Sequence, residues 1–267
     1  MSNHALVTGM TTMNKLITCI FVLTFMASVA VGQSQTNTTG SATGKQRPST
    51  SFTEKLLKFF GISDSPSTLK GPGDEVTSGE LWVADLDSKS TRPLTSNGGY
   101  RSPVFLAATT SVLALRESDV MEVPSGGGEA KKLYSVNAII KLLGFGSEDP
   151  GKVLILLRGG ADGHPRPGLL TVNTGAVTII PYDPASSQDL QMVENLQGWS
   201  RTYGNKYIYV KRQAKEALSG TVEWSDVFLK VNNQEPVDVS RCDGVNCGQP
   251  SLSEDGRLLV FIKAKAE

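Results

Sequence analysis

Few residues in this chain could do acid–base or nucleophilic chemistry. There are two histidines in 267 residues, and only His164 lies outside the first dozen positions. It sits in "GGADGHPRPG", a Gly/Pro run of the kind that links strands, where a histidine is ordinarily solvated or structural. Any Ser-His-Asp set would have to use it, and no G-x-S-x-G nucleophile turn occurs. Three acids, Asp183, Asp189 and Glu194, gather in "PYDPASSQDLQMVENLQ". A carboxylate pair at the right separation hydrolyses glycosides, but acids spread along a connection more often meet solvent or a partner. Asp85 and Asp87 beside Ser88 resemble the opening of a calcium loop, yet the Gly and distal Glu that complete one are missing. The sequence therefore predicts no catalytic residue, no cofactor and no metal site. It marks His164, Asp183, Asp189 and Glu194 as candidate partner-binding residues on loops.

Two cysteines, Cys242 and Cys247, bracket "DGVN" near the end of the chain. A turn between them brings the Cα atoms within disulfide range. A metal would need two further ligands, and beyond the first 32 residues the chain has no other cysteine and one histidine. A disulfide requires an oxidising compartment, and the N-terminal region points to one. Residues 13–32 read "MNKLITCIFVLTFMASVAVG": Lys15, an apolar run from Leu16 to about Phe25, then small residues. That order is a secretory signal, with cleavage expected near Val31 or Gln33 and Met13 as an alternative start. The apolar run falls short of the ~20 residues that span a bilayer, so no membrane span is expected after cleavage. Cys19 lies near the start of the run, where a lipid-attachment cysteine would follow it. The protein is expected to be exported, periplasmic or secreted.

The elements that must position these residues fall into a short leader region and a long body. Residues 33–50 lack any large apolar side chain and read as a flexible linker. Asn37-Thr38-Thr39 is a glycosylation sequon, meaningful only in a eukaryotic secretory pathway. Residues 51–61, "SFTEKLLKFFG", predict a short amphipathic helix. Ser51 and Glu54 have capping-box spacing, Gly61 suits its end, and Phe52, Leu56, Phe59 and Phe60 share a face that docks on the body. A Pro/Gly/Ser-rich linker, 62–79, follows.

From residue 80 to the end the pattern is β: apolar runs of strand length separated by Gly, Asn, Asp, Ser and Pro. Residues 189–196 could add one helical turn. Two kinds of unit alternate. One is an apolar hairpin, as in "LWVADL", a polar turn and "RPLT", and again in "GLLTV", "NTGA" and "VTII". The other is "SPVFLAATTSVLALR" and its counterparts, ending with "GQPSLSEDGRLLVFIKA". Eight two-strand units make four four-stranded modules, and alternation of two unit types predicts an all-β propeller of about four blades.

These repeats resemble the TolB-type, WD40-like β-propeller family. Leu81 to Thr95 matches the first half of its unit, and Pro250-Ser251-Leu252-Ser253-Glu254-Asp255-Gly256-Arg257-Leu258-Leu259-Val260-Phe261 matches the second, with Glu254 where the family has Pro. Pro103 to Leu115 keeps the Pro and replaces Asp-Gly with Ala108-Thr109-Thr110. The resemblance implies a propeller over 80–267 and carries no active site. TolB itself has an α/β domain before its propeller; here a linker and a short helix stand there, so the likeness is to the repeat and not to TolB. The chain enters the repeat with the first unit and leaves it with the second. The final strands are therefore expected to pair with Leu81 to Thr95 and close the seam, and if the ring is incomplete a second chain would complete it.

Lysine plus arginine and aspartate plus glutamate each number 26, so no basic field for nucleic acid exists. Trp82, Trp199 and Trp224 fall at strand positions, where blade packing is expected. The longest connections are 159–167, 181–195 and 213–223, expected to form a rim. The expected function is a non-catalytic exported module that binds a protein or cell-envelope component; the alternative is a hydrolase or lyase using the propeller funnel, or the propeller part of a larger assembly.

Overall fold

The computed structural model describes residues 52–60, 76–106, 109–146, 149–159, 163–197, 202–218 and 220–264. The signal region, the 33–50 linker and most of the 62–79 linker lie outside the described residues. The chain divides into two units, Met1–Gln46 and Arg47–Glu267, and every described residue belongs to the second.

Sixteen strands form four four-stranded antiparallel sheets. Sheet I joins both ends of the body: β1 (Glu80–Asp85), β2 (Ser90–Pro93), β15 (Cys247–Leu252) and β16 (Leu258–Lys263), in the order β15-β16-β1-β2. Sheet II is the meander β3 (Tyr100–Phe105), β4 (Ser111–Arg116), β5 (Asp119–Pro124) and β6 (Lys131–Ser135). Sheet III is β7 (Ile139–Phe145), β8 (Lys152–Leu157), β9 (Arg166–Thr171) and β10 (Ala176–Ile179). Sheet IV is β11 (Thr202–Tyr203), β12 (Lys206–Ala217), β13 (Gly220–Val231) and β14 (Val237–Asp238). The expected seam is present: β16 pairs with β1 from Glu80↔Lys263 to Asp85↔Leu258. Gly79 lies so close that a Cβ there would overlap the Lys263 carbonyl oxygen, which explains a glycine at the entry to the seam.

The inner strands of sheets I and II are apolar on both faces because each of these sheets lies between two others, and the period of two separates the faces. In β4, Val112 and Ala114 enter the core between sheets I and II, while Leu113 and Leu115 enter the core between II and III. In β16, Val260 and Ile262 face sheet II, whereas Leu259 and Phe261 face the core shared with sheet IV. The sheets thus stack blade against blade in the order IV, I, II, III. Trp82 packs into the core between I and IV, as its strand position predicts; Trp199 lies outside the described residues.

Sheet III breaks the pattern. Leu154 and Leu156 of β8 point away from sheet II and pack under two helices, α1 (Phe52–Phe60) and α2 (Ser187–Gln197). Among the described residues no strand of sheet III makes more than marginal contact with sheet IV. The expected short helix is α1, docked on the body through Phe52, Leu56 and Phe59, with the Phe52 ring 5.9 Å from that of Tyr182. Gly146 accommodates it, since a Cβ there would meet the Phe59 ring at 2.5 Å.

Three expectations are corrected. The body is mostly β but not all-β: residues 187–197 form an eleven-residue helix where at most one turn was expected. Ser186 starts it, accepting the Asp189 N–H at its hydroxyl and the Leu190 N–H at its carbonyl, and Met192, Val193 and Leu196 bury its inner face. The 213–223 connection is not a loop, because β12 and β13 stay paired out to Ala217↔Gly220. Finally, the 62–79 linker does not reach residue 79, for Val76 is buried in the core between sheets I and II.

Candidate partner-binding face

The connections divide by parity. Those that follow odd-numbered strands meet on one face: the Arg257 guanidinium of the β15–β16 turn pairs with Asp87 of the β1–β2 turn at 2.9 Å, and Lys206 donates to the Gly256 carbonyl. The Asp255-Gly256 turn is as its sequence predicts, with φ of 65° at Gly256 and the Asp255 carboxylate accepting from the Ser253 hydroxyl and the Arg257 N–H. The Ser253 hydroxyl holds the Asp255 carboxyl below its ordinary range. This turn borders an open cleft of about 810 Å³ between sheets I and II, lined in part by Thr109, Ser111 and Phe105.

Connections that follow even-numbered strands meet on the opposite face. There a cleft of about 480 Å³ is bounded by Arg101, Ser118, Asn137 and Arg158. Arg101, on β3, ties sheets II and III together, donating to the carbonyls of Glu117, Ile139 and Ile140; burial lowers its pKa. The β8–β9 connection with His164, the β10–β11 connection with α2 and the β12–β13 hairpin lie on this side.

His164 is exposed on the β8–β9 connection. That connection is pinched, since a Cβ at Gly159 would lie 2.6 Å from the His164 carbonyl oxygen. Asp183 and Asp189 belong to the next connection, and both carboxylates serve their own backbone. Asp183 accepts the Ala185 N–H at 2.9 Å, and Asp189 accepts the Asp183 N–H at 3.1 Å. These bonds fold the chain into the start of α2. Glu194 is on α2, and its side chain lies outside the described residues. The structure thus places the four residues on two connections of one face. Asp183 and Asp189 meet each other and do not bond His164. Among the described residues no group of three His, Cys, Asp or Glu side chains could hold a metal ion.

Cys242 and Cys247 are disulfide-bonded, with Cα atoms 6.3 Å apart. Both are buried between sheets IV and I. Sequence reasoning missed what secures this loop, the carboxylate of Asp226 on β13. Only 2% exposed, Asp226 accepts from the Cys242 N–H at 2.8 Å, the Ser240 hydroxyl at 3.0 Å and the Trp224 indole at 2.6 Å. A second clasp is Ser225, whose hydroxyl donates to the Cys247 carbonyl. An acid close to Trp and Val inside an apolar strand is the one signal that could have revealed it.

Beyond Asp226 the β12–β13 pair runs on as an arm. Its four outermost pairs, from Ala214↔Glu223 to Ala217↔Gly220, are exposed on both strands and carry it about 14 Å past the body at ~3.4 Å per residue. Leu218 at its tip is wholly exposed. One face of sheet IV and the arm holds a row of rings: Tyr207 stacks on Tyr209 at 5.3 Å, Tyr209 on Phe228 at 5.9 Å, and Lys211 lies 5.3 Å over Phe228.

No family model and no curated protein matches the sequence. Among solved structures the chain is similar to a protein of Agrobacterium tumefaciens provisionally assigned as TolB, with 15% identity and a TM-score of 0.36 over 69% of this chain and 61% of that one. It is also similar to the unliganded AtxE2 isopeptidase, with 10% identity and a TM-score of 0.28 over 66% and 27%. A variant of that isopeptidase with Astexin3-dC4 bound gives 12% and 0.24 over 73% and 40%. The chain spans about three-fifths of the first structure and less than half of the others. No helix among the described residues is long and apolar enough to cross a membrane.

Proposed function

We propose that this chain is an exported, non-catalytic propeller-type module that binds a protein or cell-envelope component. Binding is through the face that carries the β8–β9 connection, the α2 connection and the β12–β13 arm. The observation that supports it is the position of the β8–β9 connection, the α2 connection and the β12–β13 arm on one side of the stacked sheets, the arrangement in which recognition usually sits. The buried disulfide and the N-terminal signal pattern support export. In this reading His164 and Glu194 are contact residues, and Asp183 and Asp189 shape the connection that presents the outer side of α2.

Catalysis would require a nucleophile or base in reach of a reacting atom, and the carboxylates nearest to forming such a pair are bonded to backbone amides. The test is turnover of ester, peptide and glycoside substrates by the disulfide-intact protein and its His164→Ala variant. No turnover by either is expected. Turnover by the parent that His164→Ala abolishes, with the circular dichroism unchanged, would replace the binding reading with the enzyme one.

A further inference from the structure

The arm has two properties that together name a ligand. Its strand edges are free: β11 pairs only with Lys206 and Tyr207 of β12, and β14 only with Phe228 and Leu229 of β13. From Lys211 to Ala217 the outer edge of β12 is therefore unpaired among the described residues, and all but Gln213 are exposed. A free edge is a template for an added strand. The second property is charge. Alternation places Lys211, Gln213 and Lys215 on the face that holds Tyr209 and Phe228, with Lys230 opposite Tyr207. Lys211, Lys215 and Lys230 form no ion pair there among the described residues. The acid opposite Lys211 is Asp226, whose carboxylate is already taken by Cys242, Ser240 and Trp224.

We infer that the arm binds an extended acidic peptide segment of a partner protein, added as a strand along β12. This rests on the reading of the arm as part of a binding face. The lysines select the occupant. A second copy adding its own β12 would set lysine against lysine, and like charges directly opposite are destabilising. They guard the edge against self-pairing and leave it open to acids. Because same-face residues recur every second position, acids facing Lys211 and Lys215 stand four residues apart in the peptide. An aromatic or aliphatic residue two positions outside the first meets Tyr209.

The test is selection of random dodecapeptides on the disulfide-intact protein, followed by affinity measurement of a selected peptide. Acids spaced four apart should be enriched. Binding should weaken about tenfold with Lys211→Glu and Lys215→Glu together, two cross-strand pairs being reversed. It should also be lost when the peptide N–H groups facing the arm are methylated, and it should fall as salt is raised. Enrichment of neutral or basic peptides, no enrichment, or acidic peptides indifferent to the lysine changes would each overturn the inference. So would an oligothymidylate that binds the arm where acidic peptides do not. Partner binding that depends on the β8–β9 and α2 connections but survives the lysine changes would remove the arm alone and leave the proposed function standing.

Discussion

Asp226 shows how much of this molecule rests on single side chains. Its carboxylate collects an indole, a hydroxyl and a backbone N–H at the junction of sheets IV and I. Asp226→Ala would strand buried donors, each costing about 1–3 kcal/mol, so a loss of about 2–4 kcal/mol is expected in urea unfolding, with Asp226→Asn less severe. Surface carboxylates set the acid limit. Asp85, Asp119 and Asp149 are each held below the ordinary value: Asp85 by the Ser88 backbone N–H, Asp119 by the Ser135 hydroxyl, Asp149 by Lys152. A depressed folded-state pKa gives stability that is present above the unfolded value and lost as pH falls through the folded one. The unfolding midpoint should be level from neutral pH down to about pH 5 and fall below about pH 4; a midpoint that rises on acidification would contradict these shifts. At this scale the sequence was legible where a motif is local, as at Asp255-Gly256. It was silent where the partner is distant in the chain, as for Asp226 with Cys242, or where an acid serves its own turn, as Asp183 and Asp189 do.

Helix α1 was readable because its cap and its apolar face lie within eleven residues. Helix α2 was not, because it starts after a Pro-containing turn and buries only Met192, Val193 and Leu196 against a surface the sequence does not announce. The β12–β13 arm was misread for a related reason. Solvated on both sides, it lacks the alternation of apolar and polar residues that betrays a half-buried strand. The two helices take the place of a neighbouring sheet over β7 and β8. Leu56, 1% exposed, is the centre of that contact. Leu56→Ala should cost about 2–5 kcal/mol, measured by thermal or denaturant unfolding. A change below about 0.5 kcal/mol would mean that α1 does not bear on the body's stability.

Across the whole molecule, the repeat phase predicted both the number of sheets and their seam, since a body that enters the repeat with one half-unit and leaves with the other must pair its ends. What the repeat could not show is the break between sheets III and IV, where α1 and α2 cover an apolar face that repetition alone would give to another blade. Removing residues 251–267 takes away β16 and part of β15. It leaves β1 with a free edge and uncovers Leu81 and Val83, and the truncated chain should aggregate; a soluble, cooperatively unfolding monomer would contradict the seam's role. Binding through one face makes the most direct demand on the molecule. Photoreactive residues introduced singly at His164, Gln188 and Glu216 on the even-strand side, and at Ser88 and Glu254 on the other, can be irradiated in native envelope extract. Recognition by the long connections predicts one shared crosslinked partner from the first three positions and none from the other two, whereas the same partner at Ser88 and Glu254, with none at His164, Gln188 and Glu216, would contradict it.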